Sequence, residues 1–259
     1  SQTVGVVGHS QFKASSALGN NNTGFHCLPR GKNLGSGSSA LSALFTGISN
    51  NFDDQFVGDY ITLNSHTYFL AHPNYWLKYG STECTTPHWL VIPAKSDLVI
   101  GKINNEDVTT GAYIGSDFYT GNNSNTAKAS IEAIIKNDFG SNHILSHKEY
   151  LQNAVTNGYE SGGSWYDSEI ELMTERMVYG CDIFHNQKAG ANVPDRYSID
   201  YGQLAIFRYW REKICTRGIW LLRDVVTSTY FAGVYDYGFA CYLFASNSYG
   251  IRPAFGIIA

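Results

Sequence analysis

A stretch of forty residues, Ile219–Ile258, decides the expected fold and reads IWLLRDVVTSTYFAGVYDYGFACYLFASNSYGIRPAFGII. Large and small residues alternate along it, and turn signals lie at 236–238 and 246–250. Alternation with a period of two is typical of strands, and short glycine-containing turns are typical of hairpins. We therefore expect consecutive antiparallel strands joined by tight turns.

The alternation also predicts which side chains of this segment face outward. The small residues Ala232, Val234 and Ala240 share one face, which suits packing onto a core. Tyr242 lies on that face too, whereas the opposite face and the turn are aromatic and chemically mixed, as recognition surfaces are. A hairpin buried on both faces is the alternative. The side chains expected to be exposed are those of Tyr235, Asp236, Tyr237, Phe239, Leu243 and Phe244.

Composition favours a soluble, loop-rich protein that contains β-structure. The 259 residues include 26 glycines, 18 tyrosines and 14 phenylalanines, and only 15% of them are charged. The net charge of -4, without a basic block, argues against a nucleic-acid partner, because phosphate binding needs clustered Lys and Arg. Neither a membrane-spanning apolar run nor a signal peptide is recognisable, so we expect synthesis in a cytoplasm.

The five cysteines lie far apart and include no CxxC pair. Their odd number and their spacing fit neither a disulfide framework nor a zinc-binding motif, so we expect reduced thiols. They are Cys27, Cys84, Cys181, Cys215 and Cys241.

Upstream of the terminal strands, periodicity and turn residues predict a mixture of helices and strands. Residues 1–27 are expected to form an arm or small extension, and residues 28–259 one domain. Large aromatic residues usually bury, so the aromatic loop at 73–87 is expected to cover the core, with a binding loop as the alternative. The remaining expected elements are a strand at 4–7, a helix at 40–48, strands at 57–63, 66–71 and 89–92, an irregular loop at 183–200 and an apolar connection at 204–214.

Three further helices are predicted from capping residues. Thr126 is a candidate N-cap for a helix that ends at Gly140. Ser-x-x-Glu capping boxes predict a second helix over 146–155 and a third over 168–180.

Residues that commonly bind metals are present, but their spacing does not define a site. His143 and His147 are four residues apart, yet the predicted helix begins between them, so they would not share a helical face. Asp53, Asp54 and Asp59 lack the spaced loop of a calcium site, and we interpret them as solvated loop carboxylates. No metal site is therefore predicted.

The search for catalytic motifs is also negative. Asp167, Glu169, Glu171 and Glu175 fall at the start of a predicted helix, where the helix dipole favours negative charge. The chain contains no GxSxG motif, no glycine-rich phosphate loop and no cysteine with an obvious basic partner. We therefore expect neither an enzyme nor a cofactor.

Two segments resemble the C-type-lectin-like fold. SNHILSHKEYLQNAV at 141–155 is similar to a helix of the formylglycine-generating-enzyme branch of that fold, and Gly250–Pro253 is similar to its closing GFR strand. The resemblance implies an α+β domain with mixed or antiparallel strands, two or three short helices and long loops.

A closer resemblance is to tail proteins of gut bacteriophages and prophages with this fold. It covers roughly residues 28–259 and rests on six blocks that occur in the family's order. The blocks are RGKNLG (30–35), FDDQFVGDYITL (52–63), ECTTPHWLVIP (83–93), ELMTERMVYG (171–180), WLLRDV (220–225) and ASNSYGIRPAF (245–255).

Some members of this family resemble targets of diversity-generating retroelements, in which adenines of a template are randomised while the flanking sequence stays fixed. Asn codons altered in this way give any residue except Lys, Glu, Gln, Met or Trp. The resemblance, together with the strand alternation, implies eight candidate ligand-binding positions, all of which hold permitted residues: Gly233, Tyr235, Asp236, Tyr237, Phe239, Cys241, Leu243 and Phe244.

The chain departs from two other branches of the fold. The Glu-Pro-Asn and Trp-Asn-Asp signatures of calcium- and sugar-binding animal lectins are absent, and Cys241 stands alone without the paired cysteines of the formylglycine-generating enzyme. Neither calcium-dependent sugar binding nor copper-dependent oxidation is therefore implied.

The leading hypothesis is a receptor-binding protein at the tail tip of a phage or prophage virion, whose 233–244 surface recognises a protein or glycan on a bacterial cell. Other tail proteins and a second copy of the chain are further expected partners. A structural tail or baseplate component is the first alternative. The second is an enzyme that degrades surface polysaccharide, which would need the carboxylates of 167–175 to line a cleft at glycosidase spacing.

Overall fold

The computed structural model describes residues 25–185 and 202–259. The chain forms an α+β structure in which most strand pairs are antiparallel, as the sequence predicted. The strand expected at 4–7, nearly all of the expected N-terminal extension and most of the loop expected at 183–200 lie outside the described residues.

The strands of the described residues form two sheets and one separate hairpin. The strands are β1 (Asn33–Ser36), β2 (Tyr60–Leu63), β3 (His66–Pro73), β4 (Trp89–Pro93), β5 (Ile100–Gly101), β6 (His147–Thr156), β7 (Tyr159–Ser168), β8 (Ile170–Leu172), β9 (Trp220–Val225), β10 (Tyr230–Val234), β11 (Ala240–Phe244), β12 (Tyr249–Gly250) and β13 (Pro253–Ile257). The helices are α1 (Gly37–Ser49), α2 (Asp117–Thr120), α3 (Ala127–Phe139), α4 (Glu175–Tyr179) and α5 (Ala205–Tyr209), with 3₁₀ turns at Asn122–Ser124, Ser141–His143 and Arg211–Lys213.

The six-stranded sheet has the order β1-β2-β3-β4-β13-β8. Strand β13 is the last along the chain, yet it lies inside the sheet and pairs antiparallel with both β4 and β8. Every residue of β4 and β13 is buried, including Trp89 and Phe255. Burial of one such phenylalanine stabilises the fold by about 1.5–3 kcal/mol, so this strand pair forms a central part of the core.

The five-stranded sheet has the order β11-β10-β9-β12-β5, so β9 is central and β11 is an edge. All residues of β9 are buried, including the charged pair Arg223 and Asp224. The Arg223 guanidinium donates to Glu149 Oε1 at 2.7 Å. Because Glu149 belongs to β6, this ion pair joins the β6–β7 hairpin to the five-stranded sheet.

A second buried cation, Arg252, connects the two sheets. Its Nε donates to the Pro93 carbonyl at 2.9 Å, and its Nη1 donates to the Lys213 carbonyl at 3.0 Å. The guanidinium also lies over the Trp220 ring, 5.1 Å from its centroid. The segment that precedes β13 therefore contacts β4, β9 and the 3₁₀ turn before β9.

Several predicted elements are confirmed. The helix expected at 40–48 is α1, and the turn Asn64-Ser65 joins β2 to β3 with positive φ at both residues, as tight hairpin turns require. The aromatic loop covers the core, since Tyr75 and Trp76 are buried.

The helix predicted from Thr126 to Gly140 is also confirmed, as α3. Its first free amide, that of Ala127, donates to Asn125 Oδ1 at 3.2 Å, whereas the Thr126 side chain makes no capping bond. Buried Ile131 and Phe139 lie on one side of the helix, as the periodicity predicted.

The helix predicted over 146–155 is wrong, because this segment forms β6. The strand pairs with β7 from His147 opposite Ser168 to Thr156 opposite Tyr159. The ladder satisfies the backbone donors and acceptors and directs Leu151 into the core, so tertiary pairing overrides the local capping pattern. Ser146 therefore caps no helix.

The helix predicted over 168–180 is confirmed only in its last part. Ser168 ends β7, and residues 170–172 form β8, which pairs with β13. Thr174 Oγ1 accepts the Met177 amide at 3.2 Å and caps α4, which ends at Gly180 with φ +83°.

Candidate binding surface

The candidate ligand-binding residues lie on the hairpin formed by β10 and β11, which pair antiparallel. Two backbone hydrogen bonds close its turn. The Tyr235 amide donates to the Phe239 carbonyl at 2.7 Å, and the Gly238 amide donates to the Tyr235 carbonyl at 2.8 Å. Gly238 has φ +87°, a conformation that glycine adopts without steric cost. The predicted terminal hairpin is therefore confirmed.

The aromatic side chains of the turn are exposed, as predicted, whereas the predicted exposure of Asp236 is wrong. Tyr235 is 44% exposed, Tyr237 73% and Phe239 65%. Asp236 between them is half-buried, and its carbonyl oxygen accepts a hydrogen bond from the Cys215 thiol at 2.9 Å. Three large rings thus project from a turn whose backbone is held in place.

The predicted exposure of Leu243 is wrong, because this side chain is buried, and Gly233 is buried beside it. Leu243 pairs with Phe231 and Gly233 pairs with half-buried Cys241, so these residues share the inward face of the hairpin. A Cβ on Gly233 would lie 2.2 Å from Leu243 Cδ1, so the glycine leaves the space that the leucine fills. Gly233 and Leu243 therefore support the hairpin from within.

The opposite face of the hairpin was predicted to be buried, but on β11 it carries exposed aromatic rings. Ala232 and Val234 are buried as predicted, but Ala240 is only half-buried. Tyr242 is 52% exposed and Phe244 41%. Strand β11 is the edge of its sheet, so its outward side chains have fewer neighbours than those of β10. Edge position, rather than residue size, decides which face is open.

These rings contact one another in a row. The ring centroid of Tyr230 lies 4.4 Å from that of Phe244 and 5.1 Å from that of Tyr242. Tyr242 in turn lies 5.3 Å from Phe184. Tilted and edge-to-face contacts of this kind orient the rings. We call the following set the aromatic surface: Phe184, Tyr230, Tyr235, Tyr237, Phe239, Tyr242 and Phe244.

A cleft of about 760 Å³ borders the turn of the hairpin. Tyr237 and Phe239 contribute to its lining, and Arg208, Arg211 and Glu212 line it from α5 and the turn that follows. The aromatic surface is therefore continuous with a cleft that contains two cationic side chains.

A group of buried polar side chains next to Phe184 surrounds a small cavity of about 30 Å³. Glu160 on β7, His185 after α4 and Asp224 on β9 place oxygen and nitrogen atoms within 4.8 Å of one another. No spacing rule connects these residues, so sequence reasoning missed them. The available signal was a charged pair, Arg223-Asp224, inside the apolar block WLLRDV.

Charges in this group shift each other's protonation. Burial opposes a charge on His185, but Asp224, Asp182 and Glu160 outweigh it and raise the pKa of the imidazole to about 11. Burial raises the pKa of the Asp224 carboxyl above its ordinary value, although the neighbouring His185 opposes the shift. The surrounding carboxylates therefore favour the positively charged form of the His185 imidazole.

His143 and His147 lie in separate surroundings. The His143 ring stacks on Phe45, with centroids 3.7 Å apart. His147 is buried, stacks on Trp76 at 4.0 Å and places Nε2 3.2 Å from Glu149 Oε2. Each histidine thus has structural contacts of its own.

The interpretation of Asp59 as a solvated carboxylate is wrong, because Asp59 is fully buried. It accepts hydrogen bonds from Arg30 Nη2 at 2.5 Å and from the Lys32 amide at 2.8 Å. Asp54 pairs with Arg30 and with Lys32 Nζ, the latter at 3.0 Å. These contacts join the segments RGKNLG and FDDQFVGDYITL.

The acidic residues between 167 and 175 lie in different surroundings, and only Glu175 begins a helix. Asp167 is exposed on β7 and pairs with Lys148 at 2.8 Å. Glu171 is buried on β8 and accepts a hydrogen bond from the Tyr113 hydroxyl at 2.7 Å. The helix-dipole explanation is therefore wrong for Asp167, for Glu171 and for Glu169, which lies between β7 and β8.

All five cysteines lie in the described residues and carry free thiols. Burial raises the pKa of Cys27 to about 11 and that of Cys241 to about 12. Both thiols therefore stay protonated at neutral pH.

Among the helices of residues 25–185 and 202–259, none is long and apolar enough to cross a membrane. Comparison with known proteins found no family model, no curated protein and no solved structure that matches the chain.

Proposed function

We propose that this chain is a receptor-binding protein at the tail tip of a phage or prophage, and that its aromatic surface binds a protein or glycan on a bacterial cell. The six sequence blocks that resemble phage tail proteins support the tail assignment. The observation that carries the binding assignment is the concentration of exposed rings on one hairpin, at Tyr235, Tyr237, Phe239, Tyr242 and Phe244.

Exposed rings on this scale are unfavourable for an isolated protein. Apolar area left in water forfeits about 25 cal/mol per Å² of stabilisation. Contiguous exposed apolar surface therefore commonly marks a site that a partner covers. Tyrosine is enriched among the residues that dominate binding energy, because its ring offers a large and rigid contact area.

The frame beneath these rings also supports a display function. The central strand β9 is fully buried, and Leu243 fills the space beside Gly233 on the inward face of the hairpin. The outer side chains can therefore differ between variants while the backbone keeps its position.

We also propose that the hairpin is diversified by a retroelement, and burial divides the eight candidate positions. Tyr235, Tyr237, Phe239 and Phe244 reach solvent and tolerate change, whereas Asp236 and Cys241 are half-buried. Substitution at Gly233 or Leu243 disturbs the inward packing. Aligned sequences of sibling isolates should therefore vary at the exposed positions and stay constant at these two.

The C-type-lectin-like fold is likewise a proposal, supported by the resemblance of Gly250–Pro253 to the closing strand of that fold. The resemblance of 141–155 to a helix of the formylglycine-generating-enzyme branch gives no support, because most of that segment is β6. Superposition of an experimental structure on lectin-like domains tests the proposal.

The binding assignment is tested with the double variant Tyr237→Ala/Phe239→Ala. Fluorescently labelled protein is incubated with a panel of gut bacterial strains, and retention on cells is measured by flow cytometry. We expect the wild-type chain to label at least one strain and the double variant to lose that labelling, while its melting temperature stays unchanged. Tyr159→Ala is the matched control, because Tyr159 is an exposed tyrosine at the turn of the other hairpin.

Two results would count against the receptor assignment. Full labelling by the double variant would show that the rings of the turn do not contact the receptor. Stable self-association of the wild type that the double variant abolishes would instead favour the structural tail component, in which these rings form a permanent interface.

A further inference from the structure

The buried group of Glu160, His185 and Asp224 has the donor atoms of a metal site. One imidazole and two carboxylates come from β7, the segment after α4 and β9, and their potential ligand atoms lie within 4.8 Å of one another. All three line the cavity of about 30 Å³, which is large enough for one water molecule or one metal ion. Three distant parts of the chain therefore converge on one small polar space.

Both carboxylates are held by backbone amides. The Val225 amide donates to Glu160 Oε1 at 3.0 Å, and the Glu175 amide donates to Asp224 Oδ2 at 2.5 Å. Metal-binding carboxylates are usually fixed by such outer hydrogen bonds, which orient them before the ion arrives.

The imidazole is oriented in the same way. His185 Nε2 faces Glu160, while Nδ1 lies 3.1 Å from Asp182 Oδ1. Asp182 is itself bound by Arg176 at 2.7 Å. A metal-binding histidine almost always donates its second N–H to a carboxylate or a carbonyl, which fixes the tautomer and the ring plane.

Asp224 is the least compensated charge of the group. It is more than nine-tenths buried and lines the cavity. It accepts a hydrogen bond from the Glu175 amide, but it forms no ion pair within the described residues. The nearby cation Arg223 pairs with Glu149, which is also buried. A buried carboxylate is costly unless it is paired, protonated or bound to a metal ion. A divalent cation in the cavity would compensate the buried carboxylates of Glu160 and Asp224 together.

We propose that Glu160, His185 and Asp224 bind one Zn²⁺ ion, with a water molecule as the fourth ligand. Imidazole nitrogen combined with carboxylate oxygen suits Zn²⁺, whereas Ca²⁺ and Mg²⁺ prefer sites made of oxygen atoms. The ion replaces the proton between His185 Nε2 and Glu160 Oε2, which are 2.6 Å apart, and this proton is released to solvent.

An ion at this position anchors one edge of the aromatic surface. The Glu175 carboxylate accepts the backbone amides of Ile183, Phe184 and His185 at 2.7, 3.1 and 3.0 Å. The Phe184 ring contacts Tyr242. Coordination of His185 adds an anchor directly after Phe184, so the site has a structural role.

The test uses the full chain, dialysed against a chelator and titrated with ZnCl₂ by isothermal titration calorimetry. We expect one zinc ion per wild-type chain, confirmed by elemental analysis, and no zinc bound by His185→Ala. Asp182→Asn should weaken binding by about 10–100-fold, because Asp182 orients the imidazole without being a ligand. Asp167→Asn is the matched control, since Asp167 is an exposed carboxylate on the same strand as Glu160.

Thiols are the main competing zinc ligands, and Cys181 is exposed in the same segment as His185. Cys181→Ser should therefore keep full affinity, and Co²⁺ bound to the wild type should show no thiolate charge-transfer band. Amide hydrogen exchange adds a readout within the wild type, in which zinc should slow exchange at 183–185.

Three outcomes would overturn the zinc site. They are a wild-type chain that binds no zinc, a folded His185→Ala variant with wild-type affinity, and loss of zinc from Cys181→Ser. Zinc binding and receptor binding are measured by different assays, calorimetry for the ion and cell labelling for Tyr237 and Phe239. Either proposal can therefore fail while the other stands.

Discussion

Strands β9 and β11 belong to one sheet and are separated only by β10. Nevertheless, β9 buries charged side chains and β11 exposes apolar ones. Strand β9 buries Arg223 and Asp224, whereas β11 exposes Tyr242 and Phe244. Both placements are unfavourable in isolation, because a buried charge needs a partner and an exposed ring needs a cover. For β9 most of the partners lie inside the molecule, whereas on our proposal the cover of β11 comes from another molecule.

Removal of the Arg223 charge should have the largest effect on stability, because it takes away the partner of a buried carboxylate. Arg223→Leu leaves Glu149 buried without its cation, and we expect a loss of about 3–5 kcal/mol in the free energy of unfolding. Urea denaturation measures it. The double variant Arg223→Leu/Glu149→Leu should recover much of the loss, because it removes both charges. A single variant that loses less than about 1 kcal/mol would show that the pair does not support β9.

The pH dependence of stability tests the same pair. Burial opposes the charge of Glu149, but Arg223 and His147 hold its pKa at about 2 in the folded chain, below its ordinary value. The charged form therefore contributes about 3 kcal/mol above pH ~4.5, and this contribution is lost as the pH falls toward ~2.

Unfolding free energies at several pH values between those limits should consequently fall more steeply for the wild type than for Glu149→Gln. Parallel curves for the two proteins would assign the acid sensitivity to other groups.

A smaller loss of stability should distinguish substitutions at inward positions of the hairpin from substitutions at outward positions. Gly233→Val forces a side chain against Leu243, and we expect a loss of about 1–3 kcal/mol from overpacking. Tyr237→Val, the control in the exposed turn, should change stability by less than about 0.5 kcal/mol. Thermal melts of both variants check the difference, and equal losses would mean that the turn is part of the core.

The sequence predicted elements whose local signals agree with their surroundings. The Asn64-Ser65 turn, the end of α3 at Gly140 and the turn of the terminal hairpin each have residues that match the tertiary environment. Residues 146–155 carry a capping box, but pairing of the ten-residue strand β6 with β7 outweighs it. Strand pairing is non-local, so no pattern within the segment indicates it.

The candidate surface was predicted in part for a related reason. Alternation correctly separates Leu243 from Tyr242, but it does not say which face is open. Which face is open depends on the edge position of β11 and on the space left by Gly233, and both are determined by the tertiary structure. The group of Glu160, His185 and Asp224 was missed altogether, since its members share no sequence spacing.

The position of β13 has a consequence for synthesis on the ribosome. Strands β4 and β8 are both made before β13, but the sheet joins them only through that strand. Phe255 of β13 pairs with Val91, and Pro253 pairs with Leu172. A nascent chain that ends before residue 253 therefore carries two unpaired strand edges and an open core. Such intermediates are prone to aggregate, and contacts between distant residues form slowly. The six-stranded sheet therefore closes only after β13 has been made, and chains truncated before this strand should become substrates for chaperones and proteases.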